Sequence, residues 1–339
     1  MGGLFVALAA ALLLAPGASA IDTQRLQIAD HEPNPAAQLT VLTYNVKGLP
    51  WPIAGNRTPQ LDAIGATLGE LRRHGNQPHV VLLQEAFSSE AKAIATAAGY
   101  RHVAFGPKEA PKLAAPPLGE AFAKAAQWTR GETAGSLADS GLAMLSDYPI
   151  VKVERAAFPQ GACAGLDCLA AKGVLLAWIR VPGIPTPVLI GDTHLNSRHA
   201  SGVGAGRANK AYAWQVGDLE KLVAKAATPG TPMIVGGDFN IGRDNARVAA
   251  FDRSGLLGSE RRDDLAFIHQ ASLENPGAAE FPAIMADNKI KLFSRGGRAV
   301  RVEPLEAWVP FPSTSDPSPL SDHPGLIVEY RLISKPTGR

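Results

Sequence analysis

TPMIVGGDFNI, Thr231 to Ile241, reads as a short buried strand that delivers polar groups at its end. The apolar run Met233 to Val235 is followed by Gly236 and Gly237, and then by Asp238 and Asn240, two positions apart. In extended backbone, residues i and i+2 lie on one side, so Asp238 and Asn240 are expected to face one point while Phe239 turns into the core. A carboxylate beside a carboxamide suits a hard cation or a phosphoryl oxygen. The two glycines permit close backbone approach or a positive φ. Taken alone, the stretch fits an ordinary turn equally well, because Gly, Asp and Asn are common turn residues. The functional reading gains weight because an apolar strand followed by a polar cluster recurs elsewhere in the chain.

Upstream, TPVLIGDTHLNS forms a second strand closed by Asp192, His194 and Asn196 at alternate positions. QLTVLTYNVKGLP, Gln38 to Pro50, is a β-branched alternating run that ends near Asn45. PHVVLLQEAF, Pro78 to Phe87, is almost continuously apolar, which implies burial on both faces and brings Gln84 and Glu85 to the rim of a packed sheet. A glutamate there is costly unless a cation or donors meet it. DSGLAMLSDYPIV and AKGVLLAWIRVP supply further strands. Downstream, IMADNKIKLFSR, Ile284 to Arg295, reads as a strand carrying Asp287, and SPLSDHPGLIVEYRLI sets Asp322 and His323 before a terminal strand. These last two are adjacent, so nearby prolines must bend the backbone if both serve one site.

Helical spacing appears over 58–74 (Leu61, Ile64, Leu68, Leu71), over 88–99, over 207–225 (Tyr212, Val216, Leu219, Leu222) and around 245–254. Residues 106–138, with Pro107, Pro111, Pro116, Pro117 and an alanine-rich part containing Trp128, are expected to make a long surface excursion.

The chain has 339 residues, 46% of them hydrophobic and 19% charged, the composition of a globular protein; its net charge of +2 does not by itself call for a nucleic-acid partner. Length alone suggests roughly two domains. MGGLFVALAAALLLAPGASA, residues 1–20, reads as a secretory signal cleaved after Ala20, although no Lys or Arg precedes its apolar run. The run is short for a membrane span. A secreted or periplasmic protein is therefore expected, with residues 21–38 an irregular lead-in. The two cysteines, Cys163 and Cys168, most simply close a small disulfide loop in such a compartment, and two thiols are too few for a structural zinc.

Asn45, Glu85, Asp192/His194/Asn196, Asp238/Asn240 and Asp322/His323 together suit Mg²⁺ better than zinc, with Mn²⁺ or another divalent cation as the alternative. In this order and with these separations they resemble the endonuclease/exonuclease/phosphatase superfamily, whose members include deoxyribonuclease, inositol-polyphosphate phosphatase and neutral sphingomyelinase. The resemblance implies one α/β catalytic domain over 39–333, overruling the length prior. Its fold would be a four-layer sandwich, two packed, mostly antiparallel sheets flanked by helices.

The resemblance further implies Glu85 as the main metal carboxylate, with Asn45 beside it and Asp322 in the metal shell. Asp238 and Asn240 would orient water and phosphate, His323 would be the general base with its tautomer set by Asp287, and His194 would donate to a phosphoryl oxygen. Asp192 and Asn196 have an alternative role in holding the loop around His194. Arg207 and Gln215 are similar to a family Arg/Gln pair near the site, a solvated helix face being the other reading.

DCLAAKGVLLAWIRV places Asp167 and Lys172 five apart before Gly173, and with the preceding SGLAMLSDYPI is similar to a substrate-loop segment of bacterial neutral sphingomyelinases. A chance hairpin is the alternative. A Cys163–Cys168 bond would stiffen the approach to this loop. The expectation is a secreted, Mg²⁺-dependent phosphoric diester hydrolase of the sphingomyelinase type, phospholipase C-like, acting on sphingomyelin or a related phospholipid with transient membrane contact and no obligate protein partner. A secreted nuclease on the same fold is the alternative, weakened because Lys and Arg are scattered. A non-catalytic lipid-binding protein is weakened further, since every expected catalytic position is filled.

Overall fold

The computed structural model describes residues 25–27, 37–49, 55–271, 280–313 and 318–335; the signal-like residues 1–20 lie outside them. The first half contains β1 (Arg25–Gln27), β2 (Ala37–Asn45), α1 (Thr58–Arg73), β3 (Val80–Gln84), α2 (Ser89–Ala97), β4 (His102–Phe105) and α3 (Glu120–Lys124). Then follow β5 (Ala143–Ser146), β6 (Ile150–Ala157), β7 (Gly173–Ile179), β8 (Val188–His194), α4 (Ala205–Ala226), β9 (Met233–Asp238) and α5 (Asn245–Asp252). The chain continues through β10 (Arg262–Asp263), α6 (Asp264–Ala271), α7 (Glu280–Asp287), β11 (Ile290–Arg295), β12 (Val300–Phe311) and β13 (Gly325–Ser334).

Two expectations need correction. The lead-in is not wholly irregular, because β1 pairs antiparallel with β12. Residues 284–295 are not one strand: α7 runs to Asp287, Asn288 takes a left-handed φ of 54°, and the strand begins only at Ile290. Asn tolerates that conformation and commonly stops a helix there.

Among the described residues the strands form a seven-stranded sheet in the order β1-β12-β13-β2-β3-β5-β4 and a six-stranded sheet in the order β10-β11-β9-β8-β7-β6. Neighbours are antiparallel except β2 with β3 and β8 with β9. Helices α1 and α2 cover the first sheet through Leu61, Ile64, Leu68 and Ile94, and α4 covers the second through Tyr212, Val216, Leu219 and Val223. Between the sheets lie Leu39, Val41, Val80, Leu82, Val188, Ile190 and Ile234. The fold is thus a four-layer α/β sandwich. Local signals agree with it: Pro59 starts α1, and the Ser88 side chain caps α2 at Ala91 N–H.

The two parallel pairs place the site. Each ends its two strands at the same edge, with Asn45 beside Gln84 and His194 beside Asp238. Alternation carries the inter-sheet face along each strand, so the apolar residues of that layer give way at the strand ends to Thr43 and Asn45, Gln84, Asp192 and His194, and Asp238. The sheets come so close there that a Cβ on Gly236 would stand 2.8 Å from the Leu82 side chain across the interface.

A second polar link joins the sheets. Asp264, fully buried, accepts from Ser294 Oγ of β11 and from Tyr330 Oη of β13 at 2.7 Å. Burial pushes its carboxyl up to about 8 against the lowering effect of both hydroxyls. The folded state therefore keeps a proton that the unfolded chain releases near about 4. The stability this gives is complete below about 4 and is lost as pH rises through about 8. Thermal melts from pH 5 to 9 should accordingly show wild type losing ground to Asp264→Asn as pH rises; parallel melting curves at every pH would disprove the buried acid.

Candidate active site

Asp238 is 1% exposed and collects donors from both sheets. Its Oδ2 accepts from Asn45 Nδ2 at 3.1 Å and lies 3.3 Å from His323 Nε2 and 3.6 Å from His194 Nε2. Its Oδ1 accepts from Asn240 N–H at 3.0 Å. Asn240 reaches the site differently from the expected alternation: it lies beyond the strand, at φ 49°, and its Nδ2 donates to Leu195 O at 3.1 Å. Glu85 also follows its strand, at φ 56°, with Oε1 accepting from Asn45 Nδ2 at 2.9 Å. Burial raises the Glu85 carboxyl, and Asn45 and Lys172 oppose that rise.

His323 and Asp322 are partners despite being adjacent. His323 Nδ1 lies 3.0 Å from Asp322 Oδ1, and Lys47 Nζ lies 2.8 Å from Asp322 Oδ2. Ser321 Oγ donates to Asn45 O at 2.6 Å and pins this turn to β2. Burial works to raise the Asp322 carboxyl, but His323 and Lys47 outweigh it and hold it well below the usual range. Burial works to lower His323, but Asp238, Asp322 and Glu85 outweigh it and raise its pKa. Asp287, expected to set the His323 tautomer, instead ends α7, half exposed, 3.2 Å from Lys289 Nζ. Asp322, expected in a metal shell, spends its oxygens on Lys47 and His323.

His194 takes the opposite state. Lys172 Nζ lies 3.1 Å from His194 Nε2 and donates to Leu195 O at 3.3 Å, while also pairing with Asp167. An ammonium only donates, so Nε2 accepts and the ring proton sits on Nδ1, which is buried without a partner among the described residues. Burial, then the charges of Lys172 and His323, hold His194 well below its ordinary pKa. With Lys172 in place, Nε2 has no proton to give a phosphoryl oxygen; the role expected for His194 requires Lys172 to swing away.

Asp192 sits one register deeper, fully buried, and takes Gln84 Nε2 at 2.7 Å rather than facing the site. Asn196 accepts from Ala164 N–H at 2.8 Å, and its own N–H donates to Gln215 Oε1 at 2.7 Å, so it holds the loop after β8. Arg207 donates to Glu132 at 2.7 Å, and neither Arg207 nor Gln215 belongs to a solvated face. Cys163 and Cys168 form a disulfide that closes the turn carrying Asp167.

The strand pattern missed Lys47 and Arg247. Arg247 had one signal, its spacing of four from the apolar Phe251 on the same helix. Arg247 and Phe251 are buried, whereas the Lys47 side chain is 39% exposed.

Glu85 presents a hard carboxylate oxygen, whereas Asn45 turns Nδ2 to Glu85 and Asp238 while its Oδ1 accepts from Lys47 N–H at 3.1 Å. A lone carboxylate of this kind suits a hard divalent cation that keeps most of its waters. A sandwich whose facing parallel strands end in acid, amide and imidazole defines a deoxyribonuclease-like α/β protein. The chain belongs to the Endonuclease/Exonuclease/phosphatase family, whose model matches residues 42–324.

Over 306 residues, 88% of this chain, it is 25% identical to a sphingomyelinase of Mycobacterium tuberculosis; it spans 54% of that relative's length, about half. Its fold matches sphingomyelinase C from Streptomyces griseocarneus with a TM-score of 0.54 at 20% identity, covering 86% of this chain and 99% of that one. It likewise matches a magnesium-bound mutant of beta toxin from Staphylococcus aureus, TM-score 0.54 at 16% identity over 86% of this chain and 99% of that one.

If Asp322 and not Asp287 faces the base, Asp322→Asn should lower the His323 pKa in metal-free protein, since it removes one of the carboxylates that raise it. Asp287→Ala should leave it alone. Imidazole titration by NMR measures both, and a reversed order would restore the original assignment.

Proposed function

We propose that this chain is an exported, divalent-metal-dependent phosphodiesterase of the sphingomyelinase type, releasing the head-group phosphate ester of sphingomyelin or a related phospholipid. The observation that carries this reading is Lys172: the segment whose pattern is similar to sphingomyelinases folds into the site, with Lys172 bonded to both Asp167 and His194. Residues 39–333 would act as one catalytic unit, because β13 pairs with β2 and returns His323 to Asn45. Export is supported by the pattern of residues 1–20 and by the Cys163–Cys168 bond, which belongs to oxidising compartments.

Glu85 would hold the cation, joined by Asn45 once its Oδ1 leaves Lys47 N–H, and the bound cation would neutralise charge on the phosphate. His323, oriented by Asp322 through Nδ1, accepts the proton of the attacking water through Nε2 once the ring is neutral and Nε2 no longer donates to Asp238. Asn240 and Asp238 orient that water and the phosphate, and Lys172 offers donors to the phosphoryl oxygens once it leaves His194.

Two features favour a lipid over DNA. Trp128 (78% exposed), Leu137 (76%) and Leu166 (44%) lie on the segments around Asp167. A cleft of about 350 Å³ with Leu113, Pro116, Pro117, Leu118 and Phe122 on its apolar side and Lys112 and Arg207 on its charged side shares Glu132, Gln160 and Cys163 with the cavity that reaches Lys172. In the two densest arginine groups, Arg262 donates to Val302 O and Arg295 to Leu257 O.

A panel of sphingomyelin, phosphatidylcholine, supercoiled DNA and inositol phosphates with Mg²⁺ tests the reading. Sphingomyelin turnover should vanish in EDTA and return with Mg²⁺ or Mn²⁺, fall steeply in Glu85→Gln, and drop about 10²-fold or more in His323→Ala. Cleavage of DNA alone would replace the lipid reading with the nuclease one, and full activity in excess chelator would remove the metal.

A further inference from the structure

Behind the site lies a cation to which neither the strand pattern nor the family resemblance gives a task. Arg247 on α5 is 1% exposed and the bulkiest fully buried side chain among the described residues. Its Nη1 donates to Asn196 O at 2.7 Å and to Asn240 O at 2.8 Å, and its Nε donates to Asn209 Oδ1 at 2.7 Å. The guanidinium stands 4.4 Å from the centre of the Tyr212 ring. Taking this charge out of water is costly, and all three acceptors are neutral. Burial accordingly lowers its pKa. An apolar residue packed against Phe251 would fill the space without that cost.

The two carbonyls it grips belong to the loops that follow β8 and β9. The peptide whose carbonyl is that of Asn196 carries the N–H of Ser197, which donates to Asp167 Oδ2 at 2.8 Å. Asp167 holds Lys172, and Lys172 lies 3.1 Å from His194 Nε2. A carbonyl bonded to a cation polarises its own peptide and strengthens the N–H on the far side. The other carbonyl belongs to Asn240, whose left-handed turn places its N–H on Asp238.

We propose that Arg247 is the positioning residue of this site. One buried fork sets the Asn240 turn and, through the Ser197 peptide, the chain Asp167–Lys172–His194. Lysine does not replace it, because one ammonium nitrogen lacks the second, rigidly placed donor by which Nε takes the Asn209 amide while Nη1 takes both carbonyls. Arg198 provides the contrast: it ties the same loop to α5 through Asp244 at 3.3 Å but is 41% exposed and grips neither carbonyl.

The catalytic arm of the test rests on the phosphodiesterase reading; the spectroscopic arm does not. Arg247→Met, Arg247→Lys, Arg198→Ala and wild type are compared by thermal melting, by NMR of the histidine ring nitrogens without metal, and by hydrolysis of a small soluble phosphodiester with Mg²⁺. Folded Arg247→Met should lose at least about tenfold in kcat with KM within about twofold. Its His194 should pass from one Nδ1–H tautomer to an exchanging mixture. Arg247→Lys should not recover either property, and Arg198→Ala should match wild type in both.

Adding Asp167→Asn to Arg247→Met should cost little more than either change alone, because both cut one chain. Unchanged kcat and unchanged His194 signals in folded Arg247→Met, or losses at Arg247 and Asp167 that multiply, would overturn the proposal. Should Arg247→Met not fold, Arg247→Lys carries the same comparison with the same deciding outcomes. If wild type hydrolyses no phosphodiester, the proposed function fails and the His194 signals alone decide this inference.

Discussion

The carboxylate of Asp238 is the constraint around which the molecule closes. It is almost fully buried, and a buried carboxylate is tolerated only where donors meet it. Those donors come from separate parts of the chain: Asn45 from the first sheet, the Asn240 backbone from the loop after β9, and His323 from the turn before β13. Meeting them requires the two parallel strand pairs to stack edge on edge. A one-residue slip of β9 against β8 would turn Asp238 out of the inter-sheet layer and put Gly237 in its place.

Two histidines share that carboxylate and are driven apart in charge. His194 lies buried against the Lys172 ammonium, its pKa held well down; His323 lies among Asp238, Asp322 and Glu85, its pKa raised. Divergent environments around a common acid are how one site assigns distinct proton roles at one pH. The same arrangement makes Lys172 a gate on His194, because a single nitrogen cannot accept from the lysine and donate to a phosphate at once.

The excursion over 106–138 runs on the surface, as expected, yet is bound into this machinery. Glu132 accepts from Gly165 N–H and from Arg207, both at 2.7 Å, joining the excursion to the turn that carries Asp167 and to α4. Desolvation works to raise the Glu132 carboxyl, but Arg207 and the backbone donors prevail and lower it. The apolar cleft and the exposed Trp128 therefore belong to a segment whose anchor is two bonds from Lys172.

The sequence by itself did not show β1, β4, β10 and β12, but it determined the strands that carry the site, β2, β3, β8, β9 and β13, with the polar groups at their ends, the two long helices and the Cys163–Cys168 pairing. These are short-range properties: periodicity of two or of 3.6, and a spacing of five residues. The same periodicity misread Asp287, because ADNKIKLF continues an apolar run without showing that Asn288 adopts a left-handed turn and breaks it. Only the tertiary structure decided that Asp322 partners His323, that Lys172 sits on His194, that Asn240 enters through a positive φ, and that Arg247 grips the loops from behind. Alternation encodes the side on which a residue lies, but not which group from a distant segment is waiting there. That depends on how two sheets pack and where their strands end.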